Sequence, residues 1–246
     1  MFSGINEFAF YLGLGAFIGV WQTARRAPQD DLLRWMGASW AVLLGALLGA
    51  RMGYVLFHLG YYQHHPAEIF QFWMGGLDWT GALAGGLIAL GIVWRWWRKP
   101  FEQLADGLAP LALPLAAGAW LGCWGTGCAY GAPLAGWGGV LVVDETGDVL
   151  KRFPLQLLAV LALIILAAWL EIHRPKAVPA GSYASRVMLG LGVLMLLASF
   201  LRADPAPRWA GLRPDTWAAL LWVIAALAAI WKFRLFGNPP VGEEDA

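Results

Sequence analysis

Both cysteines of the chain fall inside Gly122–Gly131, GCWGTGCAYG, a stretch that also holds Gly125 and Gly127. Glycine suits a backbone that must bend or approach another group closely. In lipid, irregular backbone persists only when it is buried in protein or lines a wet cavity. The stretch therefore reads as the wall of a site, with a plain helix end and loop as the alternative. Cys123 and Cys128 match no usual zinc or redox spacing. Their glycine-rich connection allows a disulfide, which needs Cα atoms about 4.4–6.8 Å apart; two buried apolar thiols are the alternative.

Arg51, in GARMGYVLF, is the other residue that could do chemistry. A guanidinium inside an apolar span is costly and faces a cavity or a partner. It could grip a lipid phosphate with two parallel hydrogen bonds. It could also pair with Glu68 or Asp78, or snorkel to the headgroups. His58, His64 and His65 cluster nearby without an acidic or cysteine ligand at useful spacing, so they read as a wet interfacial loop, not a metal site. Asp106 is expected to cap the inner end of the fourth span, where the helix dipole favours an acid. No cofactor is implied.

The elements that position these groups are apolar. Of 246 residues, 59% are hydrophobic and 13% charged, with sixteen tryptophans and a mean hydropathy of +0.59. Soluble domains carry about 25% charged residues, so this chain is expected to dissolve in a bilayer. A net charge of +1 argues against a nucleic-acid surface. Seven segments approach the roughly 20 residues that a crossing helix needs. They run over 7–23, 35–57, 80–97, 103–122, 154–172, 186–201 and 215–232. The first is read as a retained span and not a signal peptide.

Lys and Arg mark the cytoplasmic side. Eleven fall on one side: Arg25, Arg26, Arg34, Arg95, Arg98, Lys99, Arg174, Lys176, Arg186, Lys232 and Arg234. Five fall on the other: Lys151, Arg152, Arg202, Arg208 and Arg213. The expected fold is an all-α membrane protein with its N-terminus outside and C-terminus inside, one domain over 1–234. On the outer side, GVLVV and DVLKRF flank DETG as a short hairpin. Residues 235–246 read as a disordered tail.

At this point the chain resembles the prolipoprotein diacylglyceryl transferase family, bacterial membrane enzymes that move diacylglyceryl from phosphatidylglycerol to the lipobox cysteine of prelipoproteins. LLGARMGYVLFHLGYY is similar to the family's G-A-R-x-G-Y-V-L-F stretch. EIFQFWMGGLDWTGALAGGLIA resembles W-x-G-G-M-S-F-H-G-G-L-I-G. ADGLAPLALPLAAGAWLGCWGTGCAYG resembles A-D-x-x-A-P followed by G-R-x-G-N-F-x-N-G-E-x-x-G. KRFPLQLL is similar to R-H-P-x-Q-L-Y, and SFLRADP to E-F-F-R-x-P-D. The family also has seven spans with the N-terminus outside.

The resemblance implies a site, and this sequence departs from it. The family histidine falls on Thr80, the motif arginine on Trp120, its asparagine on Cys123 and its glutamate on Cys128. A second arginine and glutamate fall on Met195 and Ser199. Arg51, Gly122, Gly131, Pro154 and Gln156 are kept, and Tyr11 matches a tyrosine of the first span. The residues implied for lipid binding are thus Arg51, Tyr11, Gly122, Gly131 and Gln156. The implied partners are phosphatidylglycerol, an anionic phospholipid, and the signal peptide of a prelipoprotein, in the bacterial inner membrane. Three functions are compatible with this set: a transferase with a rearranged site, a non-catalytic relative that binds lipid or precursor, and a thiol oxidoreductase using Cys123 and Cys128. A transporter is disfavoured, because beyond Arg51 the spans carry almost no polar residues.

Overall fold

The computed structural model describes residues 6–72, 75–144, 146–173 and 179–236, with side chains to residue 232. It is mostly helical. Each of the seven apolar segments lies on helix: α1 (Glu7–Arg26), α2 (Leu32–Phe57), α4 (Trp79–Trp97), the pair α5 (Phe101–Leu108) and α6 (Ala112–Thr126), α7 (Leu155–Ile172), α8 (Ser182–Leu201) and α9 (Pro214–Phe236). A single turn, α3 (Leu59–Tyr62), follows α2. Among the described residues, five stretches are long and apolar enough to cross a membrane: Gln29–Phe57, Phe101–Thr126, Leu155–Ile172, Ser182–Leu201 and Pro214–Lys232. α1 and α4 are not among them. The expected hairpin is present, β1 (Val140–Val143) antiparallel to β2 (Val149–Arg152), with Val142 opposite Leu150. Leu235 and Phe236 continue α9 instead of opening the expected tail, and residues 237–246 lie outside the described residues.

The chain groups into two compact units, each described here by itself. One runs from Val20 to Leu108; the other joins the residues up to Gly19 to those from Ala109 onward. The first is organised by the α2–α4 pair. Gly45, Gly49 and Gly53 on α2 meet Gly81, Gly85 and Ala89 on α4, so the backbones approach as only small residues allow. A Cβ added at Gly85 would meet the Gly45 carbonyl oxygen and the Gly49 Cα, neither of which can move aside. Asp78 caps α4, its Oδ1 accepting from the Gly81 N–H at 2.9 Å.

In the other unit the first turns of α1 pack on α6 by the same device. A Cβ at Gly15 would strike the Pro114 carbonyl, and one at Gly118 the Tyr11 carbonyl. Pro110, which has no N–H to give, sits in the short 3-10 turn Ala109–Leu111 that separates α5 from α6. α8 and α9 pack with Trp222 against Gly192, its Nε1 donating to the Met188 carbonyl at 3.0 Å. Large apolar side chains point outward along the helices: Phe17, Ile88 and Leu221 are 68%, 66% and 67% exposed. Water would penalise such surfaces and lipid does not.

Close helix contact makes a prediction. Gly85→Leu overpacks the α2–α4 seam and is expected to lower the stability of the detergent-solubilised chain by about 1–3 kcal/mol. Gly91→Leu, at a position with nothing within 4 Å, is expected to stay within about 0.5 kcal/mol. Thermal unfolding of the two variants side by side checks this.

Candidate functional site

Arg51 is buried, 3% exposed, and its donors go to backbone. Nε donates to the Ile69 carbonyl at 2.9 Å, Nη1 to the carbonyls of Gly75 and Gly76, and Nη2 to that of Glu68. Four of its five N–H groups are thereby committed. In the structure the guanidinium thus clamps the carbonyls of Glu68, Ile69, Gly75 and Gly76. Gly75 and Gly76 have φ of +83° and +74°, a left-handed backbone that presents both carbonyls to the guanidinium. A Cβ at Gly76 would land on the Tyr54 ring and on Arg51 Nη1.

Thr80 lies in the same unit. Its hydroxyl donates to Asp78 Oδ1, and the Asp78 N–H donates to the Ala50 carbonyl at 3.0 Å, one residue before Arg51. Thr80 thus supports the start of α4. The three histidine rings go to separate partners: His58 Nδ1 lies 2.9 Å from the Tyr54 carbonyl, His64 Nδ1 3.0 Å from that of Gly60, and His65 Nδ1 3.7 Å from the Glu68 carboxylate. Tyr61 donates its hydroxyl to Glu68 Oε2 at 2.8 Å. That bond first, with desolvation and the carboxylate's charge, pushes the Tyr61 hydroxyl above its usual pKa. A cavity of about 380 Å³ lies between these groups and Arg51.

The other unit holds the remaining candidates. Cys123 and Cys128 form a disulfide across a Cα separation of 4.6 Å. It closes the C-terminus of α6, where Gly127, at φ +75°, turns the chain left-handed. Gln156 is fully buried; its Nε2 donates to the Cys128 carbonyl at 2.9 Å, and its Oε1 has no partner among the described residues. The Trp120 indole N–H is likewise buried without a partner among them. Gly122 and Gly131 serve packing: a Cβ at the first would meet Phe8, and at the second the Phe153 carbonyl. The Ser199 hydroxyl returns to the Leu196 carbonyl of its own helix at 2.7 Å, Met195 is half-buried, and the Tyr11 ring stands edge-on to Phe10 at 5.5 Å. Asp106 is the sixth residue of α5, not part of a first turn, a place that Glu102 takes. The expected cap is therefore corrected.

Sequence reasoning missed an ion quartet between α8 and α9. Arg202 binds Asp204 and Asp215, and Arg213 binds the same two carboxylates, with N–O distances of 3.1 Å for Arg202–Asp215 and both Arg213 pairs. The repeated spacing Arg-x-Asp, in RAD and RPD, was the available signal. The buried pair Arg152–Asp144, at 2.9 Å, was missed as well; its guanidinium lies 4.1 Å from the centre of the Tyr130 ring.

With the geometry in hand, comparison with known proteins is direct. The family model described as prolipoprotein diacylglyceryl transferase matches residues 2–232. The chain belongs to this family. Relatives named phosphatidylglycerol–prolipoprotein diacylglyceryl transferase include that of Nitrosomonas europaea, 31% identical over 245 residues, covering 94% of this chain and 86% of the relative. That of Cupriavidus metallidurans is 33% identical over 214 residues, covering 78% and 73%. That of Bordetella parapertussis is 35% identical over 205 residues, covering 80% and 76%. This member of the prolipoprotein diacylglyceryl transferase family is a multi-pass membrane protein whose spans supply few charged groups.

The quartet generates a pH prediction. Burial alone would push the Asp204 carboxyl up, but Arg202 and Arg213 outweigh it and hold the carboxyl below the usual range. A depressed carboxylate stabilises the fold above its unfolded pKa and loses that contribution as pH falls through the folded value. Thermal stability is expected to hold down to about pH 4 and fall below it. In Asp204→Asn, stability at pH 7 is expected to be lower and the acid decline shallower.

Proposed function

We propose that this chain serves lipoprotein biosynthesis in the bacterial plasma (inner) membrane, with phosphatidylglycerol as its lipid and the lipobox segment of a prelipoprotein as its acceptor. The family match over residues 2–232 carries the reading. The proposed architecture is one membrane domain over 1–234 with seven spans, N-terminus outside and C-terminus inside. α1 and α4 have 20 and 19 residues, and at 1.5 Å per residue each covers about 30 Å, the hydrocarbon thickness. The basic asymmetry of eleven against five supports the orientation.

In transfer, the lipobox thiol gives up its proton and its sulfur bonds to the diacylglyceryl carbon. The bond from that carbon to the phosphate oxygen breaks, and glycerol phosphate leaves with the electron pair. The chemistry asks for a base at the thiol and cations at the leaving group. Arg51, Tyr11, Gly122, Gly131 and Gln156 are the residues proposed to serve lipid binding. Arg51 does so chiefly by fixing the backbone at Glu68, Ile69, Gly75 and Gly76.

A specific observation favours a second reading, a non-catalytic relative that binds lipid or precursor. At the positions matched to family side chains, Trp120 and Met195 carry no charge, Cys123 and Cys128 are tied in a disulfide, and the Ser199 and Thr80 hydroxyls are spent locally. A hydrogen bond to a charged group contributes about 1.5–3 kcal/mol, and each 1.36 kcal/mol is about tenfold in rate. Losing two arginine contacts and the base would slow transfer by several powers of ten. Binding without transfer is the outcome that these positions support.

Two experiments test this. The bridged native cysteines do not react with maleimide, so an introduced one reports alone. His64→Cys is expected to label in intact cells and Gln29→Cys only after permeabilisation; the reverse pattern overturns the orientation. In a bacterium depleted of its own transferase, the chain is expected to reach the membrane and carry phosphatidylglycerol without restoring growth. Growth rescue that is lost with Arg51→Ala would instead establish a working, rearranged site.

A further inference from the structure

Three phenol rings and a carboxylate meet where α2 ends. Tyr54 sits near the end of α2, Tyr61 and Tyr62 lie on α3, and His58 stacks on Tyr54 with centroids 4.1 Å apart. The Tyr62 ring stands edge-on to Tyr54 and to Tyr61, at 6.4 and 5.2 Å. With Glu68 they line the cavity of about 380 Å³ above Arg51. The Arg51 guanidinium has four carbonyl dipoles directed at it and lies 5.4 Å from the centre of the Tyr62 ring, so its charge is largely screened.

The Glu68 carboxylate differs. Arg51 takes this residue's carbonyl, and the carboxylate is left with the Tyr61 hydroxyl at 2.8 Å and the His65 ring at 3.7 Å. No Lys or Arg pairs with it among the described residues, and such a carboxylate beside aromatic faces attracts a cation and repels an anion. Leu59, on the same turn as Tyr61 and Tyr62, is 47% exposed, an apolar neighbour for acyl chains. A ligand here is cationic at one end and apolar at the other.

We propose that this cavity binds the protonated amine of a zwitterionic phospholipid headgroup, with Tyr54, Tyr61 and Tyr62 around the ammonium and Glu68 as its counter-ion. The site is a lipid contact separate from the transfer substrate, and it holds whether or not the chain transfers diacylglyceryl.

Native mass spectrometry of the full-length chain tests this at pH 8, in detergent with equal amounts of dioleoyl phosphatidylethanolamine and dioleoyl phosphatidylglycerol. The ethanolamine-lipid adduct of the unaltered chain is expected to exceed that of Glu68→Gln, which keeps shape and removes charge, by about tenfold, the scale of one or two cation–ring contacts, with the glycerol-lipid adduct the same in both. Tyr54→Leu is expected to lower retention of the ethanolamine lipid alone, and it serves as the second variant if Glu68→Gln does not fold. An ethanolamine-lipid adduct that both variants leave unchanged, or a loss of both lipids together, overturns the proposal. An adduct with soluble phosphoethanolamine as strong as that with the lipid overturns the assignment to a lipid.

Discussion

Backbone groups in an apolar environment have no water to turn to, and the departures from helix in this chain are organised by that constraint. At Glu68, Ile69, Gly75 and Gly76 a buried guanidinium supplies donors to four carbonyls. Where α6 stops, a left-handed glycine and the Gln156 amide do the same for Cys123 and Cys128. Where α8 gives way to the loop before α9, Arg213 donates to the Asp204 carbonyl at 2.7 Å while its other nitrogens hold carboxylates. Each side chain is polar because backbone near it is unpaired. Removing such a donor leaves a buried acceptor unsatisfied, which costs more than the bond itself contributed.

This pattern also explains what could be read in advance. The seven apolar segments were legible because hydropathy depends only on composition over some twenty residues, and all seven lie on helix. The hairpin between Gly138 and Phe153 was legible from its flanking β-branched runs. The partner of Arg51 was not, because a sequence names side chains and the partners are main-chain oxygens of a segment 17 to 25 residues away. Asp106 was misplaced because α5 begins at Phe101, earlier than the apolar run suggested. The Arg202–Asp215 network escaped notice because its members look like ordinary loop charges until two arginines converge on the same two carboxylates.

Glycine divides its roles along the same lines. At Gly49, Gly85 and Gly118 it lets one helix backbone touch another, with φ ordinary. At Gly76 and Gly127 it adopts a left-handed backbone that aims carbonyls at a donor or ends a helix. Sequence patterns show both as small residues, and only the first kind repeats every fourth position.

The two compact units differ in how they are written along the chain. Val20–Leu108 is continuous, whereas the other unit needs its opening residues to meet a partner that begins at Ala109. A ribosome therefore delivers the α2–α4 pair complete while most of the second unit does not yet exist. The first turns of α1 must wait, through the synthesis of about ninety intervening residues, for α6 to arrive. At roughly 5–20 residues per second that wait lasts several seconds. During it the glycine face of α1 that will hold α6 is open to whatever else the insertion machinery brings near it.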